Sequence, residues 1–500
     1  MNLNKRYILL IVILTVSGLY CLFFFNGYLG LSDGNDYAGL ARSILRGEGF
    51  GLGHLYPLAL YFSTDIPQPD NMWAPAYPVF LALWFLIFGL SDTAILAATI
   101  FSVWLLIIAV YVLARRIVGE NWAILGAALI GLNQSMLSTA LEGSPEPFTG
   151  ALFLFSVYPL ITTKTTAKRI CISAILFGLT VLTRYQMAIL AIPVLIFLTD
   201  KKLRSIMLWM AVMLITLSPW LIRNYVIFGN PVFTLQAYGE FTKGMGHLDY
   251  YYYTYRSFTP MSFFYAVANF PYYVLKKFGA GIVFFSWWTA VILNFFGTAP
   301  FVFSMIRKKY FNTLQKRFVN FSLISLILLI ALSSLDGIHL RHLVNIQGLL
   351  VLTLILGFIQ IKENLFVFRY RYLKAAAIIL LLLPARFPFL EMELINNAQR
   401  IEKNKNVYGF IKDETEPDAV IVSDVSDAVW WYCDRPSIWI PVIYSDLKRL
   451  VEIRRVDYIY FEDTSKYLGR LENSDLTDFF SNTSIVDGSH LGWGLYKINR

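Results

Sequence analysis

The chain has 500 residues, 57% of them hydrophobic and 15% charged, with a formal net charge of +9. Soluble domains carry about a quarter charged residues, so a chain this apolar cannot close its surface against water, and its repeated uncharged runs of roughly 17–25 residues read as membrane spans. The positive balance does not point to nucleic acid, because the basic residues flank apolar runs as membrane orientation requires, and Cys21, Cys171 and Cys433 offer neither an extracytoplasmic disulfide pair nor a cysteine-based metal site.

In chain order, Lys5-Arg6 precedes an apolar run over 7–25, too long for a secretory h-region and followed by no small-residue cleavage site. It reads as an uncleaved first helix with its start in the cytoplasm. Further apolar runs cover 76–90, 92–114, 121–140, 145–162, 170–183, 185–199, 205–222, 281–304, 318–335, 342–361 and 374–390. If all of them crossed, Arg115-Arg116, Lys164 with Lys168-Arg169, and Lys201-Lys202 with Arg204 would face outward, against the positive-inside bias. Removing the short run at 76–90 repairs this, and its length suits an interfacial helix. The expectation is a mainly α polytopic bundle of about 11 spans, multi-pass in the cell (plasma or inner) membrane, with the N-terminus cytoplasmic.

The same topology puts loop 31–75, the aromatic loop 223–280 and the tail on the outer side. The tail alternates strand-like runs (Ala419–Ser423, Ser437–Pro441, Tyr458–Phe461, Leu495–Ile498) with helical stretches at 398–412 and 445–455. Two domains are therefore expected: a membrane domain over 1–390 with outer juxtamembrane helices, and a small extracytoplasmic α/β domain over 391–500.

The first outer loop reads Ser32-Asp33-Gly34-Asn35-Asp36-Tyr37, then Leu40-Ala41 and Gly47-Glu48-Gly49-Phe50. A short amphipathic helix is expected over 36–46, with Asp36 near its start and Asp33 just before it. Either carboxylate could serve as an N-cap or as a chemical group.

Five segments resemble the GT-C superfamily of polyprenyl-phosphate-sugar-dependent glycosyltransferases, closest to the protein O-mannosyltransferase and lipid A aminoarabinose transferase branch. They are Asp33-x-x-x-Tyr37 with Gly47-x-Gly49-Phe50; Pro75-x-Tyr77-Pro78-x-x-Leu81; Glu142-Gly-Ser144-Pro-Glu146-Pro147; Pro219-Trp220-x-x-Arg223-Asn224-Tyr225; and His339-Leu-Arg341-His342. The sequence departs from the family at Asn71-Met72-Trp73-Ala74, where some branches carry a lysine, and at His342, where tyrosine is common.

The resemblance implies a membrane glycosyltransferase that moves a sugar from a polyprenyl-phosphate donor to an acceptor hydroxyl on a lipid, glycan or protein. An acceptor hydroxyl needs a base, and Asp33 or Asp36 would supply it. The leaving phosphate needs guanidinium groups, and Arg341, Arg184 and Arg223 are the candidates. Tyr37, Tyr77, Glu146, His339 and His342 would position substrate.

Each of these has a plainer reading. Glu146 opens an apolar helix, Arg184 and Arg223 sit where an arginine snorkels at a helix end, and Trp430-Trp431 would pack a core. His339 and His342 supply two ligands where catalytic zinc takes about three. No cofactor is required, and a divalent cation on Asp33, Asp36 and phosphate stays open. The alternatives are a transporter or flippase of lipid-linked sugars, or a glycan ligase or polymerase.

Overall fold

The computed structural model describes residues 3–500 apart from 26, 28, 30–32, 64, 162–165, 198–201, 239–241, 243–261, 337–340, 365–370, 383–403, 442, 469–472, 488–492 and 500. His339 and most of the aromatic loop, including Tyr250–Tyr253, lie outside the described residues.

The molecule is mainly α-helical. Among the described residues four helices are long and apolar enough to cross a bilayer: residues 5–24 of α1 (Leu3–Phe24), α4 (Asp92–Ile117), α10 (Leu203–Phe228) and α14 (Thr313–Leu335). Their ends follow from local chemistry. Ser91 caps α4 by accepting from the Ala94 N–H, Asp92 sits in its first turn, and Arg115-Arg116 close its last turn, so both charge signs oppose the helix dipole. Asn312 and Gln315 form a reciprocal capping box at the start of α14. The run at 76–90 folds as α3 (Ala76–Phe88), whose 13 residues span only about 20 Å, short of a hydrocarbon core about 30 Å thick.

Two helices, α5 (Glu120–Gly131) and α6 (Gln134–Leu141), are bent by 48° at a short break. Carbonyls at helix ends have no intrahelical partner, and lipid cannot supply one. Side-chain amides at and near this break satisfy those of neighbouring helices. Asn133, in this break, donates to the Ile292 carbonyl at 3.0 Å, and Gln347 donates to the same oxygen at 3.2 Å. Asn294, in a left-handed turn after α12 (Pro271–Ile292), donates to the Leu381 carbonyl at 3.0 Å.

Outside the helices lie two sheets. A small antiparallel pair joins β1 (Gly51–Leu52) to β3 (Gln68–Pro69) within the first loop. The larger sheet has six strands in the order β2-β5-β4-β6-β8-β7, where β2 is His54–Leu55, β4 Ile421–Ser423, β5 Ser437–Trp439, β6 Tyr458–Phe461, β7 Thr483–Asp487 and β8 Gly494–Ile498. Strands β2, β5, β4 and β6 run parallel, while β8 and β7 are antiparallel additions. The four strand-like runs of the tail all become strands. β7 had no clear alternation in the sequence, and β2 belongs to the first loop. The loop and the tail therefore share one sheet, and the apolar side chains of α2 (Asp33–Leu45), α3 and the tail form one continuous core.

Candidate active site

Helix α2 begins at Asp33, three residues earlier than the apolar periodicity indicates. This places Asp33 in the first turn, where N–H groups have no intrahelical partner and negative charge is favoured. Its Oδ2 lies 2.7 Å from Nη1 of Arg341 and 3.9 Å from Nη2 of Arg184. Arg341 opens α15 (Arg341–Val344), which follows α14. Arg184 sits in extended backbone between α8 (Ala167–Val181) and the 3-10 turn Tyr185–Leu190. Three segments distant in sequence thus converge on one carboxylate.

Arg184 also forms an ion pair with Glu146, which is completely buried at the start of α7 (Glu146–Val157). A buried carboxylate needs such a partner, and the result is a chain of alternating charge: Glu146, Arg184, Asp33, Arg341. A cavity of about 90 Å³ opens beside it, lined by Asp33, Tyr37, Tyr56, Trp73, Arg184, Tyr185, Gln186, Asp336, Arg341 and His342 among others.

The aromatic wall is held from behind. The Tyr37 ring packs 4.9 Å from Trp73 and 5.2 Å from Tyr77. Tyr77 is buried and donates to the Gly143 carbonyl at 2.9 Å, so it fixes the acidic segment before α7 rather than facing the cavity. The Tyr185 hydroxyl donates to the Trp73 carbonyl at 3.1 Å. His342 is stacked near Phe285, with ring centroids 6.2 Å apart.

Two further predicted residues lie elsewhere. Asp36 turns away from the cavity and pairs with Nε2 of His54 in a fully buried setting. Burial pushes its carboxyl well above the usual range, and the neighbouring charges of Asp33 and Asp70 push it further the same way. Arg223 grips the first loop: it donates to the Asp70 carbonyl at 2.6 Å and the Phe50 carbonyl at 3.2 Å, with its guanidinium 4.5 Å from the Trp220 ring. It does not reach the cavity. The sequence motif around Arg223 is present, and its structural use is to hold 50–70 in place.

Sequence reasoning did not single out His54, Tyr56, Tyr185 or Gln186. Tyr185 and Gln186 directly follow Arg184, which was the available signal. Nothing local distinguished His54, whose role depends on a fold contact across 18 residues. Among the described residues no three His, Cys, Asp or Glu side chains come together as a metal-holding group.

Residues 70–222 match the family described as dolichyl-phosphate-mannose-protein mannosyltransferase. Nearly the whole chain also superposes on solved structures. ArnT from Cupriavidus metallidurans, solved bound to undecaprenyl phosphate, matches with TM-score 0.58 at 12% identity, covering 99% of this chain and 98% of that one. The chain shares its fold with that protein. A second structure, the Archaeoglobus fulgidus oligosaccharyltransferase in complex with Zn and sulfate, matches with TM-score 0.55 at 13% identity, covering 97% of this chain and 72% of that one. No curated protein matches the chain by sequence. The structural match spans the helices and the tail alike, and the family match from 70 to 222 includes Tyr77, Glu146 and Arg184.

Proposed function

We propose that this protein is an inverting membrane glycosyltransferase that takes its sugar from a polyprenyl-phosphate donor entering laterally from the bilayer. The observation that carries the reading is the meeting of Asp33 with Arg341 and Arg184 at the wall of one cavity. The family match and the shared fold with an enzyme solved on undecaprenyl phosphate support it.

Asp33 pairs with the guanidinium groups that a phosphate would use. An arriving lipid phosphate competes for Arg341 and Arg184 through charge-assisted hydrogen bonds, which releases Asp33 toward the acceptor. The acceptor oxygen then attacks the anomeric carbon. Its new C–O bond forms as the C–O bond to phosphate breaks, the hydroxyl proton passes to Asp33, and polyprenyl phosphate departs with the bond's electron pair. The oxocarbenium-like charge at the transition state is stabilised by the same carboxylate, and the arginines stabilise the leaving phosphate. Direct displacement inverts the anomeric configuration.

Asp36 is the poorer base because its buried setting favours the neutral acid. Glu146 orients Arg184, and Tyr37, Tyr56, Trp73 and His342 shape the sugar side. Arg223 and Tyr77 support the loop and the acidic segment. In this reading about 11 spans carry the site on the outer face, the tail is extracytoplasmic, and the acceptor is a lipid, glycan or protein hydroxyl.

The test uses purified protein with labelled polyprenyl-phosphate sugar in liposomes. Release of free polyprenyl phosphate, lost in Asp33→Asn, is the expected result. Movement of intact donor across the bilayer without release would make the protein a flippase and overturn the proposal.

A further inference from the structure

Helix α2 has two faces with different neighbours. Tyr37 faces the membrane-side aromatics described above. Residues 35, 39, 42 and 46 recur at helical spacing on another face, and all four meet the tail segment 427–434. Asn35 donates to the Asp427 carboxylate at 3.0 Å. Arg42, buried, donates to the carbonyls of Trp431 at 3.0 Å and Trp430 at 2.6 Å. Arg46 makes a bidentate pair with Asp434 at 2.8 and 2.7 Å.

The closest approach is at Gly39. A Cβ built there would fall 2.1 Å from the Trp430 ring, and one built at Gly53 would fall 2.0 Å from it. The indole is wedged between the catalytic-loop helix and the strand entry at 53. Neither position tolerates any side chain while Trp430 stays in place. Trp430 is itself buried, and Arg42 lies over its ring at 5.4 Å.

Among the described residues of the tail, none lines the cavity. The tail reaches the cavity wall by two routes: Trp439 stacks on the lining residue Tyr56 at 5.7 Å, and the segment 427–434 packs on α2, whose first residue is Asp33. We propose that the segment 427–434 is a positioning cradle for Asp33, with Trp430 as the wedge that sets the height of α2 against Arg341 and Arg184. This rests on the glycosyltransferase reading for its kinetic consequence, but the placement itself is a separate physical claim.

A cradle that fixes the base and leaves the phosphate-binding arginines alone should act on turnover, not on donor binding. The perturbation is Gly39→Ala, which forces α2 and the indole apart. In the purified full-length protein, kcat should fall at least tenfold with the donor KM within about twofold. Trp430→Leu added to Gly39→Ala makes room for the new methyl and should recover part of the lost kcat. A folded Gly39→Ala protein with normal kcat, or a loss shared equally by KM, would overturn the cradle.

Placement is also read without turnover. Asp33→Cys is labelled with a thiol-reactive reagent, with and without Gly39→Ala, against the unsubstituted protein as background for its three native cysteines. The labelling rate at 33 should change several-fold when Gly39→Ala is present. An unchanged rate would overturn the cradle whatever reaction the protein catalyses. A changed rate in a protein that releases no lipid phosphate from any donor would retain the cradle and reject the transferase.

Discussion

Glu146→Gln isolates the charge chain beneath the cavity. The substitution keeps the side chain's shape and removes the negative charge that faces Arg184. Removing one partner of a buried pair costs about 3–5 kcal/mol, because the other charge is left uncompensated. Here Arg184 retains Asp33 at 3.9 Å. At an effective dielectric of about 20, an opposite charge at that distance contributes about 4 kcal/mol of attraction, but Asp33 is shared with Arg341 at 2.7 Å. The compensation is therefore partial, and the expected loss is about 3 kcal/mol, the low end of the range for a broken buried pair.

A phosphate bound at the cavity would return a negative charge to Arg184. Polyprenyl phosphate should thus stabilise Glu146→Gln more than the unsubstituted protein, by about 1.5–3 kcal/mol, the worth of one hydrogen bond to a charged group. The assay is thermal unfolding in detergent with and without the lipid phosphate. Equal stabilisation of both proteins would show that Arg184 does not meet the phosphate. An unchanged midpoint for the lipid-free variant would refute the buried-pair argument itself.

Asp33→Asn should abolish release of polyprenyl phosphate while membrane insertion persists, measured by product formation and by the yield of folded protein. Arg223→Ala should loosen the loop at 50–70 by about 1–3 kcal/mol through loss of charged hydrogen bonds to two backbone carbonyls, seen as faster proteolysis there, with donor affinity retained; a large loss of donor affinity would put Arg223 back among the phosphate ligands. Asp427→Asn addresses pH. Burial, with the charge of Asp36, raises the Asp427 carboxyl from 3.8 to about 7, so its stabilising neutral form is full below the unfolded value and lost as pH rises through about 7. The amide keeps the acceptor for Asn35 and does not ionise. Its stability advantage over the unsubstituted protein should open as pH rises from about 4 and level off above about 7; a gap that does not change with pH would refute the assignment. His54, lowered to about 4 by burial against the opposing charges of Asp427 and Asp70, loses its contribution in the opposite direction, as pH falls from 6.5 toward 4.

Much of the site was legible in the sequence because membrane chemistry is restrictive. An arginine beside an apolar run must have a reason, and Arg184 and Arg341 both proved to face Asp33. Arg223 obeyed the same rule for a different reason, since a guanidinium can also be satisfied by loop carbonyls, and composition does not separate phosphate from carbonyl. Asp33 and Asp36 could not be ranked from spacing. Their difference lies in what surrounds them, and that surrounding includes His54 and Asp427, brought near by the fold alone. The tail strands β4, β5, β6 and β8 were readable as apolar runs, whereas Thr483–Asp487 is an edge strand with polar residues, a pattern that weak alternation does not mark. Trp430 and Trp431 were visible as aromatics, but their packing onto first-loop glycines requires knowing that residues nearly 400 apart are neighbours.

The parallel pairing of His54–Leu55 with Ser437–Ile438 has a consequence for biosynthesis. Helices can enter the bilayer one after another as the ribosome makes them, but the first loop must wait for the last fifth of the chain before its strand finds a partner. A polypeptide that stops before this segment would lack the strand that pairs with His54–Leu55. Under the proposed cradle, positioning of Asp33 would wait for synthesis of the segment from 427 to 438.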